Sequence, residues 1–86
     1  MNRINIMIAK AITDERLKKG MTLKELSKKA GIPPTTLDRV VHGRRDINVS
    51  QLYQIATALG TTINDIADKA ELYLTEDALE NIDEKN

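Results

Sequence analysis

Residues 22–45 read TLKELSKKAGIPPTTLDRVVHGRR, and this stretch predicts two short helices joined by a tight turn. Thr22 precedes Glu25 by three residues, which is the spacing of a capping box at a helix start. Gly31 can adopt the left-handed conformation that lets a chain leave a helix, so the first helix should end just before it. Pro34 disfavours a helical conformation at the residue before it and is itself favoured at the first helical position. The second helix should therefore begin at Pro34.

The second helix, predicted over residues 34–42, has one apolar side and one polar side. Its apolar positions recur at the spacing of a buried helix face and are Leu37, Val40 and Val41. Successive residues lie about 100° apart, which places a polar set on the opposite side: Thr35, Arg39 and His42. Two arginines, Arg44 and Arg45, follow. The major groove of DNA admits one helix, so this segment is predicted to be a recognition helix.

The chain resembles the lambda-repressor-like, or xenobiotic-response-element, helix-turn-helix domain. The resemblance covers about residues 4–70 and rests on residues at the spacings that this family uses: Thr22, Leu26, Gly31, Ile32, Thr36, Leu37, Arg39, Gly43, Arg44, Ala56, Leu59 and Gly60. It implies an all-α fold of five helices that binds DNA.

The resemblance also implies which side chains read bases. They are the first two residues of the recognition helix and two more one turn later: Pro34, Thr35, Asp38 and Arg39. Arg39 could bond bidentately to guanine, Thr35 could reach several base edges, and Asp38 could accept a hydrogen bond from a cytosine amino group. Pro34 offers only an apolar contact, for instance to a thymine methyl group. The alternatives are an ion pair between Asp38 and Arg16, and a solvated surface for Asp38 and Arg39.

A second set of residues is predicted to contact phosphates, which fixes affinity and register rather than sequence preference. Its members are Lys24, Thr36, His42, Arg44, Arg45 and Asn48. Lys24 and Asn48 lie where helices begin, and exposed backbone amides and the helix dipole attract anions there. For His42, near a helix C-terminus, the alternative is a solvated side chain.

Three positions depart from the pattern of the family. Leu23 stands where a Gln commonly bonds the DNA backbone, and Pro33 replaces the usual Ser or Thr cap of the recognition helix. Val41 replaces a Glu that would pair with an arginine of the first helix, here Arg16. Arg16 must therefore find another partner or remain in water.

The rest of the chain predicts three more helices. The first spans residues 3–19, and capping signatures at Asn48 with Gln51 and at Thr62 with Asp65 start the fourth and fifth. The core positions expected on these helices are Ile4, Ile8, Ala11, Ile12, Leu17, Val49, Leu52, Ile55, Ala56, Leu59, Ile63, Ile66 and Ala70.

The net charge is zero, but basic and acidic residues are distributed unevenly between residues 1–70 and residues 71–86. Residues 1–70 hold 12 basic against 7 acidic residues, whereas residues 71–86 hold Lys85 against six acidic residues. We expect residues 1–70 to form the DNA-binding domain and residues 71–86 an acidic tail, which could form a short helix capped by Thr75. Tyr53 should pack with its hydroxyl in water, and Tyr73 could mark an interface.

Composition restricts the class of protein. Eighty-six residues, 41% of them hydrophobic, suffice for one small core but not for an enzyme cleft. There is no cysteine and one histidine, so we expect no enzyme, no cofactor and no metal site. No signal peptide or membrane span is recognisable, which predicts a cytoplasmic protein.

The leading prediction is a sequence-specific transcriptional regulator, most simply a repressor. It would bind double-stranded DNA as a homodimer, with two recognition helices about 34–36 Å apart on a near-palindromic operator. The alternative is an antitoxin or phage-type regulator whose acidic tail, residues 71–86, binds a protein partner with or without DNA binding.

Overall fold

The computed structural model describes the backbone of residues 3–85 and the side chains of residues 3–79. Within that range the chain contains five α-helices and no strand: α1 (Arg3–Lys18), α2 (Leu23–Ala30), α3 (Pro34–Val41), α4 (Val49–Ala58) and α5 (Ile63–Lys85). The predicted all-α fold of five helices is confirmed.

The helix starts follow the predicted caps. Thr22 and Asn48 each complete a capping box, the first with Glu25 and the second with Gln51. Pro33 precedes α3 without a side-chain bond, because its ring has no acceptor to offer to the backbone amides of the first turn. The first helical residue, Pro34, compensates in part because its missing N–H is one that a helix start leaves unpaired.

The core lies where the five helices meet and is almost entirely aliphatic. Its largest fully buried side chains come from all five helices: Ile12, Leu26, Leu37, Ile55, Leu59 and Ile66. The most extensive helix pairing joins α1 to α5, while α3 packs against α2 and α1. Because α3 is held from behind, its opposite side faces outward.

Three expectations about individual side chains are wrong. Leu17 is 62% exposed, because it lies five residues after buried Ile12 and so about 140° around α1 from it. Val49 is 74% exposed, because no other described element covers the first residue of α4. Tyr53 is 62% exposed rather than packed.

The C-terminal residues extend the fifth helix instead of forming a separate short one. α5 continues to Lys85, and neither Gly nor Pro follows Gly60 to interrupt it. Thr75 does not cap a helix start, since its hydroxyl donates to the Glu71 carbonyl at 3.1 Å within α5. Neither α5 nor another helix of residues 3–85 has the length and apolar character needed to cross a membrane.

Candidate nucleic-acid interface

The turn between α2 and α3 fixes how α3 is presented. Gly31 has the left-handed φ of 70°, and the amides of Gly31 and Ile32 both donate to the Ser27 carbonyl. The buried Ser27 hydroxyl donates in turn to the Ile32 carbonyl. Together with buried Leu37 and Val40 on α3, these bonds hold the second helix at one angle to the first.

The outward side of α3 is open to solvent. Pro34, Thr35 and Arg39 are exposed and Asp38 is partly exposed, so no described part of the chain covers the surface predicted to read bases. Thr36 is half-buried between Thr35 and Leu37.

A shallow groove joins the start of α2 to the start of α3. It is lined by Leu23, Lys24, Pro34, Thr35 and Asp38. The structure thus brings three predicted base-reading residues together with the predicted phosphate contact Lys24. Arg39 directly follows Asp38 on α3 but does not line the groove.

Asp38 and His42 contact each other at helical spacing. The His42 Nδ1 lies 2.7 Å from the Asp38 carbonyl oxygen and 3.3 Å from the carboxylate Oδ1. A carbonyl only accepts, so Nδ1 carries the hydrogen, and a neutral His42 then presents Nε2 as an acceptor. This pairing was missed in the sequence, although the i,i+4 spacing could have indicated it.

Arg16 does not pair with Asp38. Its Nη1 donates to the Met21 carbonyl at 2.9 Å, which ties the end of α1 to the turn before α2. Position 41 holds Val rather than the Glu of the family pattern, so Arg16 needs a different partner. The Met21 carbonyl is that partner. The Arg16 Nε is buried without a partner among the described residues.

The loop that carries Arg44 and Arg45 rests on the start of α1. Asn5 Nδ2 donates to Asp46 Oδ1 at 3.0 Å, and a Cβ on Gly43 would lie 3.6 Å from the Ile6 Cγ1. Forty-one residues separate Asn5 from Asp46, so local sequence patterns gave no signal for this contact. Arg44 and Arg45 are both exposed beyond it.

The start of α4 lies just after this loop. The Asn48 side-chain oxygen accepts from the Gln51 amide at 2.7 Å, and the Asn48 amide donates to Gln51 Oε1 at 3.3 Å. The Asn48 side chain is therefore engaged in capping. What α4 can offer an anion is the exposed amides of its first turn, those of Val49 and Ser50.

Cations on the two sides of the molecule differ in their partners. Arg3 pairs with Asp77, Lys69 lies 3.1 Å from Glu15, and Lys10 lies 4.4 Å from the centre of the Tyr73 ring. By contrast, no ion pair within residues 3–79 involves the cations near α3, which are Lys24, Arg39, Arg44 and Arg45. Their charge is available to an anion.

A family model described as helix-turn-helix matches residues 12–66, which is more than half of the chain. The chain belongs to the lambda-repressor-like helix-turn-helix family. Membership makes it a DNA-binding transcriptional regulator. A search of curated protein sequences found no match.

Solved structures of regulators share the fold. The clp gene regulator ClgR from Corynebacterium glutamicum aligns with a TM-score of 0.90 over 95% of this chain and 87% of that chain, at 23% identity. The restriction-modification controller protein C.AhdI from Aeromonas hydrophila aligns with a TM-score of 0.70 over 72% of this chain and 94% of that chain, at 19% identity. The hypothetical transcription factor NHTF from Neisseria aligns with a TM-score of 0.74 over 84% and 83%, at 24% identity.

Proposed function

We propose that the chain is a repressor that reads an operator with α3 in the major groove. The observation that carries the proposal is the open polar side of α3, which is backed by buried Leu37 and Val40 and surrounded by cations that make no ion pair within residues 3–79. Repression follows most simply, because a protein bound over a promoter excludes other proteins without any chemistry of its own. The chain would act in the cytoplasm, without catalysis or a cofactor.

Four side chains are assigned to base edges. Arg39 donates to guanine, Thr35 bonds a neighbouring base edge, Asp38 accepts from a cytosine amino group, and Pro34 contacts a thymine methyl group. Their exposure supports this assignment, since none is turned into the core.

The phosphate contacts flank α3 on both sides. Lys24 lies in the groove at the start of α2, and Arg44, Arg45 and the amides after Asn48 lie beyond the end of α3. The remaining candidates, Thr36 and His42, sit between these groups: Thr36 is half-buried, and His42 Nδ1 is already bonded to the Asp38 carbonyl, so we do not count His42 among the groups that set the salt dependence. Such contacts release counterions, so affinity should fall as salt rises.

A homodimer is part of the proposal. One copy presents a helix of eight residues, which is too short to read a long site. Two copies on a near-palindromic operator would double the contacts, with their recognition helices about 34–36 Å apart.

Selection of bound sites from random DNA, followed by binding of two variants, tests the proposal. Arg39→Ala should relax the preference at one base pair per half-site, by roughly 1–3 kcal/mol. Arg44→Ala should weaken all sequences about equally and lower the salt slope by about one. Equal and uniform losses from both variants would show that Arg39 contacts only phosphate.

The second candidate is a regulator whose C-terminal segment binds a protein partner. Exposed Leu72 and Leu79 on α5 favour it, together with the acidic residues around them. Deleting residues 71–86 would also remove the Tyr73 and Asp77 contacts with α1, so point variants are the better test. Leu72→Ala with Leu79→Ala should abolish capture of that partner and leave operator binding unchanged. Unchanged capture would count against this candidate.

A further inference from the structure

The groove between the starts of α2 and α3 receives one apolar residue from each helix. Leu23 is the first residue of α2 and Pro34 is the first residue of α3, and both line the groove. Pro34 is exposed, whereas Leu23 is half-buried and packs against the core, which fixes its position from behind. An apolar pair thus lies on the surface that we propose faces the bases.

Leu23 can offer DNA only an apolar contact. Its side chain has no hydrogen to donate to a phosphate oxygen and no group that could bond a base edge. Packing it against a phosphate would remove water from the phosphate without replacing the lost hydrogen bonds, which costs free energy. An apolar group of a base is therefore the partner that suits Leu23.

Thymine supplies such a group. Among the groups that the four bases present in the major groove, the C5-methyl group of thymine is the apolar one. The Asp38 carboxylate, which lines the same groove, would repel the O4 atom of that thymine, because both are hydrogen-bond acceptors. The methyl group and the cytosine amino group that we assign to Asp38 should therefore come from neighbouring base pairs.

We propose that Leu23 is a specificity-determining residue, and that its side chain and the Pro34 ring together hold the methyl group of one thymine in each half-site. This inference rests on the proposed function, because it requires α3 in the major groove. It adds a residue of α2 to the base contacts, which the proposed function assigns to α3 alone. Burial of one methyl group corresponds to about fourfold in affinity.

Replacing single thymines of the selected operator with deoxyuridine tests the contact. The change removes the methyl group and leaves base pairing and the O4 acceptor intact. At one thymine per half-site, one replacement should weaken wild-type binding about fourfold. Leu23→Ala should lose most of this difference, whereas Leu23→Met, which keeps an apolar side chain of similar volume, should retain it.

Leu74→Ala is the matched control. Leu74 is also a half-buried leucine, but it lies on α5 and does not line the groove. The control should keep the wild-type difference between the thymine and uracil operators. Each difference compares two DNAs with one protein, so partial unfolding of a variant lowers both affinities by the same factor and cancels.

Three results would overturn the role of Leu23: no thymine whose replacement weakens wild-type binding, the full difference retained in Leu23→Ala, or the difference lost in Leu23→Met. The proposed function fails in another way. A wild type that binds all sequences alike would contradict α3 as the reading helix. A wild type with a clear sequence preference and equal affinity for the thymine and uracil operators would contradict only the contact of Leu23 with the methyl group.

Discussion

At the scale of single residues, the contact between Asp38 and His42 decides what each side chain can offer DNA. Nδ1 of His42 is turned to Asp38, so a neutral His42 has only an acceptor to present. Phosphate oxygens are acceptors too, so a neutral His42 in this tautomer has no hydrogen to donate to them. The His42 Nδ1 also lies 3.3 Å from the Asp38 Oδ1, so the ring adjoins the carboxylate that we propose accepts a hydrogen bond from a cytosine amino group.

We therefore expect His42→Ala to act through Asp38 at neutral pH. The variant should lose discrimination several-fold at the base pair that we assign to Asp38, with an unchanged salt slope. Titration of operator variants at that base pair, at several salt concentrations, measures both quantities. Arg45→Ala is the control and should lower the salt slope by about one. A uniform loss with a lower slope in His42→Ala would instead make His42 a phosphate contact.

At the scale of elements, the start of α2 depends on the ionised Glu25. The Thr22 backbone amide donates to Glu25 Oε1 at 3.0 Å, and this bond, followed by that of the Thr22 side chain, lowers the pKa of Glu25 below its ordinary 4.5. A carboxylate whose pKa is lowered by folding stabilises the native state above the pKa of the unfolded chain. That contribution is lost as the pH falls through the lower, folded value.

Glu25→Gln should make the free energy of unfolding depend less on pH in acidic solution. Wild-type protein should lose free energy of unfolding as the pH falls from about 5 to about 3, and the variant should lose less. At pH 7 the two should be close, because a Gln can also complete a capping box. Urea unfolding at each pH gives the values. Glu71→Gln is the control: it removes an exposed carboxylate of α5 and should lose as much free energy of unfolding in acid as the wild type does. If both variants lost equally less than the wild type, the role of Glu25 would be contradicted.

Helix α5 is fastened to α1 by polar groups as well as by its core residues. The Tyr73 hydroxyl donates to the Asp14 carboxylate, and Lys10 lies over the Tyr73 ring. The bond to Asp14, with burial as a smaller cause, raises the pKa of Tyr73 to about 12. A raised pKa means that this contribution to stability is complete below the ordinary value of 10 and is lost as the pH rises towards 12.

Tyr73→Phe should lower the free energy of unfolding by about 1 kcal/mol at pH 7, the usual net value of one hydrogen bond. The ring and its contact with Lys10 remain, so only the hydroxyl is tested. The difference from wild type should narrow above pH 10. Tyr53→Phe is the matched control, because Tyr53 is exposed and no hydrogen bond of its hydroxyl is found within residues 3–79. Equal losses in both variants would show that Tyr73 is not fastened in this way.

Local signals in the sequence predicted the elements well and their long-range contacts poorly. Capping boxes at Thr22 and Asn48 gave helix starts because the bonding partners are three residues apart. The length of α5 does not follow from composition, because the acidic residues after Ala70 indicate a boundary there, while the contacts that hold α5 on α1 join residues more than fifty positions apart. Helical periodicity alone predicted the exposed polar side of α3. The contact between Asn5 and Asp46, which supports the loop at residues 43–46, is seen only in the folded structure.

At the scale of the whole molecule, the start of α1 and the later part of α5 contact each other. The family match stops at residue 66, and the segments outside it, the start of α1 and most of α5, carry the Arg3–Asp77 and Lys10–Tyr73 contacts. Asp77 thus pairs with Arg3 of α1, while the cations near α3 make no ion pair within residues 3–79. A molecule of zero net charge can in this way present a basic surface to DNA.

The central claim is that Arg39 reads a base edge, and replacing single guanines of the selected operator with 7-deazaguanine tests it most directly. The change removes the N7 acceptor in the major groove and leaves base pairing and phosphates intact. At one guanine per half-site the replacement should weaken wild-type binding about tenfold and leave Arg39→Ala binding unchanged. Such a difference would show that the guanine N7 and the Arg39 side chain interact. If every guanine gave the same loss in both proteins, Arg39 would not touch a base and the account of α3 as the reading helix would be contradicted.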